Sequence, residues 1–232
     1  MRVRLLSIAA AGALLVAVAT SFAPAAGASG TPVSAARGSG TSKAWHTDLT
    51  VLVNQIGSPG VYSILSQDFT DPGFDIYDSY LADDFTIPST LVHGWKVQGM
   101  RAVGIFFNGA GPCDSETVVF YADAGGVPGA VVATRGPIAG TLSGSGTYTV
   151  VFPTAVLLAK GNTYWASMYC TMAYSAGGEW GWSDTTVLKG TSAQWENPGG
   201  GFGVCPTWQD MDTCVGISGE PDLQYALAGA AA

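Results

Sequence analysis

Charge is scarce in this chain of 232 residues: 11% of its positions are Asp, Glu, Lys or Arg, against about a quarter in an ordinary soluble domain. Positive charge is the scarcer sign, with 9 Lys and Arg against 17 Asp and Glu and a net charge of −8. That balance leaves no basic footprint for nucleic acid. Histidine is nearly missing: His46 and His93 are the only two, and no Cys-x-x-Cys spacing occurs, which disfavours a zinc centre. No Gly-x-Ser-x-Gly, phosphate loop, dinucleotide fingerprint or zinc-protease helix is present. Beyond the first 28 residues no stretch keeps an i, i+3, i+4, i+7 apolar pattern for three turns, so a helical bundle is excluded. Nor does any later segment approach the length of a membrane span. What the chain has in quantity is apolar side chains, 47%, and glycine, 32 residues. Disorder is excluded by that composition, and the length suffices for one large core.

The amino terminus reads as a secretory signal peptide over residues 1–28. Arg2 and Arg4 form its positive end, Leu5–Thr20 its apolar stretch, and Ala23-Pro-Ala25 and Ala26-Gly-Ala28 offer cleavage sites. Cleavage after Ala28 removes those two arginines and takes the net charge from −8 to −10. A Gly/Ser/Ala/Thr-rich leader at 29–46 reads as a flexible tether. Residues 47–229 then form one domain, followed by a short tail at 230–232. The expected protein is exported and carries no membrane span once cleaved.

An even number of cysteines in an exported chain favours disulfides. Cys113, Cys170, Cys205 and Cys214 allow three pairings. We favour Cys205–Cys214, closing a short loop around Trp208, with Cys113–Cys170 tying distant strands.

Apolar alternation, broken by Gly, Pro, Asn and Asp, predicts strands at 49–54, 62–69, 82–87, 95–107, 117–122, 130–134, 147–152, 163–172, 178–183 and 223–227. The run Asp123-Ala-Gly-Gly-Val-Pro-Gly129 is a strong turn between two of them. So many short strands in one domain predict an all-β fold, a single antiparallel β-sandwich of jelly-roll type. Alternation also sorts faces, because neighbouring side chains on a strand point oppositely. Tyr164, Ala166, Met168, Cys170 and Met172 face the core; Trp165, Ser167, Tyr169 and Thr171 face away. Tyr148, Val150, Phe152, Phe85, Ile87, Leu223, Tyr225 and Leu227 face in, whereas Asp84 and Thr86 face out.

The segments Leu81-Ala-Asp-Asp-Phe-Thr-Ile87, Phe120-Tyr-Ala-Asp-Ala-Gly-Gly-Val-Pro-Gly129, Gly161-Asn-Thr-Tyr-Trp165 and Asp222-Leu-Gln-Tyr-Ala-Leu227 together resemble a poorly characterised group of secreted bacterial β-sandwich modules. The resemblance runs from about Asp68 to Ala228 and says little about activity. Such modules are similar in outline to carbohydrate-binding jelly rolls, an analogy of fold and not of site. It implies a structural Ca²⁺ where early and final strands meet, which points to Asp83, Asp84 and Asp222. These lie in or near an acid-rich stretch that also holds Asp68, Asp71, Asp75 and Asp78. Ca²⁺ takes six to eight oxygens, so such a stretch suits it. The alternative is that these aspartates cap turns of their own backbone.

The tryptophans make the other constellation. Trp180 and Trp182 share one face of a strand, and Trp195 and Trp208 follow in a glycine-rich stretch. Flat aromatic faces stack on sugar rings while Glu179, Glu196 and Asn197 could orient hydroxyls; Trp165 and Tyr169 offer a second platform. The alternative is that the tryptophans fill the core. The expected function is therefore a secreted, non-catalytic module binding a polysaccharide or cell-surface glycan. The alternatives are a glycoside hydrolase using Glu179 and Glu196, which needs its carboxyls at a set separation, or a structural or protein-binding module with no small ligand. Glu116 and Glu220 are further acids that nothing in the sequence pairs.

Overall fold

The computed structural model describes residues 2–8, 14–20, 49–219 and 221–232. The tether at 29–46, His46, Glu220 and much of the expected signal peptide lie outside the described residues. Within the expected signal peptide, β1 (Arg2–Ile8) and β2 (Leu14–Thr20) pair antiparallel and meet the body through one parallel bridge, Arg4 to Tyr62.

The body is all-β, its strands predominantly antiparallel, and its two layers pack face to face like a sandwich. One layer runs β10 (Pro128–Ile138), β9 (Ser115–Asp123), β13 (Thr163–Met172), β6 (Tyr80–Thr86), β15 (Gln194–Glu196) and β16 (Gln209–Asp210), with β5 (Gln67–Phe69) alongside the far end of β13. The opposing layer runs β11 (Thr141–Ser143), β12 (Thr147–Ala159), β7 (Gly94–Ala102), β18 (Tyr225–Ala231) and β3 (Thr50–Asn54). A smaller sheet continues it: β8 (Gly104–Phe107) and β4 (Pro59–Leu65) flank β14 (Glu179–Thr185), whose end also pairs with β17 (Asp222–Leu223). The join is at Val103, whose N–H donates to Gln224 and whose carbonyl accepts from Ser183. The β5–β13 pairing is parallel, and this strand order does not by itself give jelly-roll connectivity.

Between the layers lies one large core. Phe120 of β9 meets Phe152 of β12 edge-on at 6.0 Å, and Phe85 of β6 stacks on Trp95 of β7 at 6.2 Å. The inward sets read from alternation all lie in that core: Tyr164 to Met172 on β13, Tyr148 to Phe152 on β12, and Leu223, Tyr225 and Leu227. Both favoured disulfides are formed, Cys113–Cys170 and Cys205–Cys214. The first ties β13 to the segment before β9; the second closes the loop that follows β15.

The turn at 123–129 forms as its sequence dictates. Asp123 accepts from the N–H groups of Gly125 and Gly126, both of which hold positive φ. A second carboxylate oxygen role ties this turn to the sheet, because Trp165 donates its indole N–H to Asp123 at 2.9 Å. The acid-rich stretch at 68–84 is split between duties. Asp71 accepts from the N–H groups of Tyr174 and Ser175, which open the single-turn α1 (Tyr174–Gly177), and Asp78 accepts from Phe69. These two therefore hold backbone, as Asp residues in turns commonly do. Asp83 and Asp84 belong to β6, and the fold buries both.

Candidate functional site

Three of the four tryptophans expected to stack on a ligand are sealed in the core. Trp180, Trp182 and Trp195 are each no more than 1% exposed. All three indole N–H groups are spent on backbone carbonyls: Trp180 on Gly146, Trp182 on Gln224 and Trp195 on Leu65. Trp180 and Trp182 do share a face, but it is the inner one, where Trp182 packs edge-on against Tyr225. Trp195 falls opposite Leu81 in the β15–β6 register, and that position points inward.

Asn197 is corrected in the same way. It is fully buried, donates to the carbonyls of Ile76 and Asp78, and accepts from Phe202. Its amide fastens the glycine-rich loop to the 75–77 turn, and its full burial keeps it from a sugar on the surface. Glu179 is buried on β14, opposite Phe107, and accepts from the Asn108 side chain. Glu196 stands on β15 in the other layer, beside Tyr80. The structure thus places the two carboxyls of the hydrolase alternative on different sheets. Glu116 is buried too and accepts from the Gly140 N–H, while His93 is an exposed loop residue.

What remains half-exposed is a set of aromatics on the outer face of the β9–β13–β6–β15 sheet. Register brings them together. Thr117 lies opposite Tyr169 and Tyr121 opposite Trp165 across β9–β13, and Tyr80 lies opposite Glu196 across β6–β15. The Tyr169 and Tyr80 rings pack at 4.8 Å, tilted by 59°. Trp208 reaches over from the loop before β16 to meet Tyr121 edge-on at 5.6 Å. Tyr80, Tyr121, Tyr169, Glu196 and Trp208 are all partly open to solvent. Beneath them runs the row Val119, Ser167 and Ala82, all buried. Trp165 is on this face but fully covered, so the second platform is built by Tyr169 with Tyr80 and not with Trp165.

The electrostatics of this face are acidic throughout. Burial pushes the Glu196 carboxyl up to about 7, against the pull of the Trp208 N–H that donates to it. Burial also lifts Asp78 to about 6, with the charges of Asp68 and Asp75 adding to the rise. The phenols of Tyr80 and Tyr121 are pushed up by burial and then by neighbouring acids, Glu196 among them in both cases. Thr117 hydrogen-bonds the Tyr169 phenol. Such a face offers hydroxyls, aromatic planes and a carboxyl whose charge is held back by burial.

A separate acidic centre closes one end of the sandwich. Asp83 accepts from the Gln55 amide at 3.0 Å and the Leu223 N–H at 2.7 Å; Asp222 accepts from Lys189 N–H, and Asp84 from Thr191 N–H. Burial raises both Asp83 and Asp222, and the neighbouring charge of Asp222 raises Asp83 further. One oxygen each of Asp83 and Asp222 is buried with no hydrogen-bond partner. Two of the three expected calcium ligands, Asp83 and Asp222, thus act on each other electrostatically and carry an orphaned oxygen apiece. Asp84 points to the opposite face of β6 from Asp83; neither of its oxygens is among the buried unpartnered ones, and its charge still raises Asp83 and Asp222. Among the described residues no three His, Cys, Asp or Glu side chains form a metal-holding group. A cavity of about 380 Å³ opens beside this centre, between Leu52, Val53, Phe85, Trp95 and Lys189.

Gly190 fixes the loop that covers the acids. Its φ is +94°, and a Cβ there would lie 2.4 Å from the Asp84 carboxylate. Gly190→Ala is therefore expected to cost about 1–3 kcal/mol, since it combines left-handed strain with a clash. A chemical denaturation curve checks this; an unchanged midpoint would mean that the loop does not pack on Asp84.

No family model matches this chain, and no curated protein matches it.

Proposed function

We propose that this chain is a secreted, non-catalytic binding module, and that its ligand is a glycan held on the outer face of the β9–β13–β6–β15 sheet. The observation that carries the reading is the half-exposed group Tyr80, Tyr121, Tyr169 and Trp208 around Glu196. Aromatic planes take the apolar faces of sugar rings, and the phenols and carboxyl exchange hydrogen bonds with sugar hydroxyls. Export is supported by the leader's sequence, by the two disulfides and by the lack, among the described residues, of a helix long and apolar enough to cross a membrane. The motif resemblance to secreted bacterial β-sandwich modules agrees with it. The non-catalytic part rests on the carboxyls: Glu179 and Glu196 sit on different sheets.

Binding of soluble β-linked glucose and hexosamine oligosaccharides tests the reading, followed by calorimetry. Saturable binding is expected, and Tyr169→Ala or Tyr80→Ala should weaken it by about tenfold or more. The same variants should keep a cooperative unfolding transition. Binding that survives both substitutions would move the site elsewhere.

A Ca²⁺ ion is proposed as a structural element at Asp83 and Asp222, whose orphaned oxygens would supply two of its ligands. Backbone carbonyls and water complete such shells. Ca²⁺ should then raise the thermal midpoint of the wild type and leave that of Asp222→Asn unmoved. No shift in the wild type would leave the two acids sharing a proton instead.

A further inference from the structure

The outer face has a property that a neutral sugar does not answer. Glu196, Asp78 and Asp68 act on its tyrosines; burial and a hydrogen bond act on Glu196, and burial, hydrogen bonds and neighbouring aspartates, Asp75 among them, act on Asp78 and Asp68, with no described lysine, arginine or histidine among these influences. Three of the described basic side chains are engaged elsewhere: Arg101 with Thr149, Arg135 with the carbonyls of Thr134, Thr154 and Ala155, and Lys189 with Asn54. Aromatic ring faces carry negative potential, and the Tyr80–Tyr169 and Tyr121–Trp208 pairs add to the same field. Below lies Ser167, fully buried on the outward side of β13, with its hydroxyl oxygen unpartnered. That hydroxyl lies on the same side of β13 as Tyr169, between the Tyr80–Tyr169 pair and Tyr121 in the register, with no hydrogen-bond partner. The net charge of −8 extends the attraction for cations beyond the site.

We infer that the sugars taken by the face of Tyr80, Tyr121, Tyr169, Trp208 and Glu196 carry a free ammonium group, that is, unacetylated hexosamine units. This rests on the glycan reading above and adds the charge of the ligand to it. The ammonium sits against the ring faces and the Glu196 carboxylate, and the sugar ring stacks on the Tyr169–Tyr80 pair. Binding a cation draws the proton from Glu196, so association releases a proton near neutral pH. An N-acetyl group removes the charge and adds bulk where the rings converge.

Calorimetric titration of the full chain at neutral pH with three tetrasaccharides tests this: glucosamine, N-acetylglucosamine and glucose, all β-linked. Tetramethylammonium serves as a charge-only probe, read by tryptophan fluorescence. The free-amine oligosaccharide is expected to bind about tenfold tighter than the other two. Glu196→Gln should reduce that preference to about twofold while keeping residual binding and a cooperative unfolding transition. Equal affinity for all three sugars overturns the inference and leaves the glycan reading standing. Quenching by tetramethylammonium with no sugar bound overturns both, since the face would then take cations alone. Silence from every probe overturns both as well.

Discussion

Trp182→Ala is expected to lower stability by about 3–5 kcal/mol, the usual cost of deleting a large aromatic from a packed core. For a domain of this size that is a fall of roughly 10 °C in thermal midpoint. The reasons are local and specific. Trp182 has no exposed surface, its ring packs against Tyr225 at 6.0 Å and near Trp180 at 6.5 Å, and its indole N–H donates to Gln224. Alanine leaves a void and removes one of the two donors to the Gln224 carbonyl, which keeps the Val103 N–H. Trp208→Ala is the matched control, because that side chain is half-exposed and meets one ring, Tyr121. It should cost far less stability and act on binding instead. If Trp182→Ala left the midpoint unchanged while abolishing binding, the placement of this residue in the core would be wrong.

The second large effect is on pH dependence. Glu116 is 1% exposed, and burial raises its carboxyl to about 7 against the pull of the Gly140 N–H. Glu196 is raised by burial to about 7 and Asp78 to about 6. A carboxyl with a raised pKa in the folded state binds its proton more tightly there than in the unfolded chain. Its stabilising share is whole below the unfolded value near 4 and is lost as pH climbs through the folded value near 7. Asp71 and Asp123 are shifted the other way by the N–H groups they accept from, with burial opposing; their share is lost only at acid pH below about 4. Between about pH 5 and pH 8 the raised acids therefore dominate, and the thermal midpoint should fall by several degrees. Glu116→Gln keeps an acceptor for Gly140 and should flatten part of that slope. A midpoint that rises with pH across this window would contradict the burial of these acids.

The sequence made the strands legible wherever alternation ran long. β13 was readable to its ends, Thr163–Met172, with its inward set, because its inward positions hold five residues that suit a core. The sequence left three disulfide pairings open, and the favoured one, Cys113–Cys170 with Cys205–Cys214, is the one formed. Strands of two or three residues were not legible: β11, β15 and β16 are too short to show a period, and tertiary pairing defines them. The outer aromatic face suffered from that gap. Tyr80 sits at the first position of β6, before the alternating run begins, so its share in the face depends on a boundary that local pattern places two residues late. Tyr121 was readable as outward from its neighbour Phe120, but its meeting with Trp208 spans a distance in sequence that no local pattern covers.

The tryptophans show the limit of alternation most clearly. It says that Trp180 and Trp182 share a face and is silent on which side of the sheet that face lies. Their neighbours held the missing signal: Gly181 and Ser183 occupy the other face, and Ser183 shares a hydroxyl contact with Ser63 at 2.8 Å. Small and polar residues opposite a tryptophan pair point the pair inward. Asn197 was legible as a polar residue in a glycine-rich loop, and its three bonds to and from backbone show that it serves the loop's stability.

The central claim is that ligand binding belongs to the outer face of the β9–β13–β6–β15 sheet. Backbone amide chemical shifts followed during titration with a β-linked hexosamine oligosaccharide test it most directly. The account predicts saturable changes centred on Tyr80, Tyr121, Tyr169, Glu196 and Trp208. Changes confined to the cavity lined by Leu52, Val53, Phe85 and Trp95, or a spectrum unmoved at saturating sugar, would contradict it.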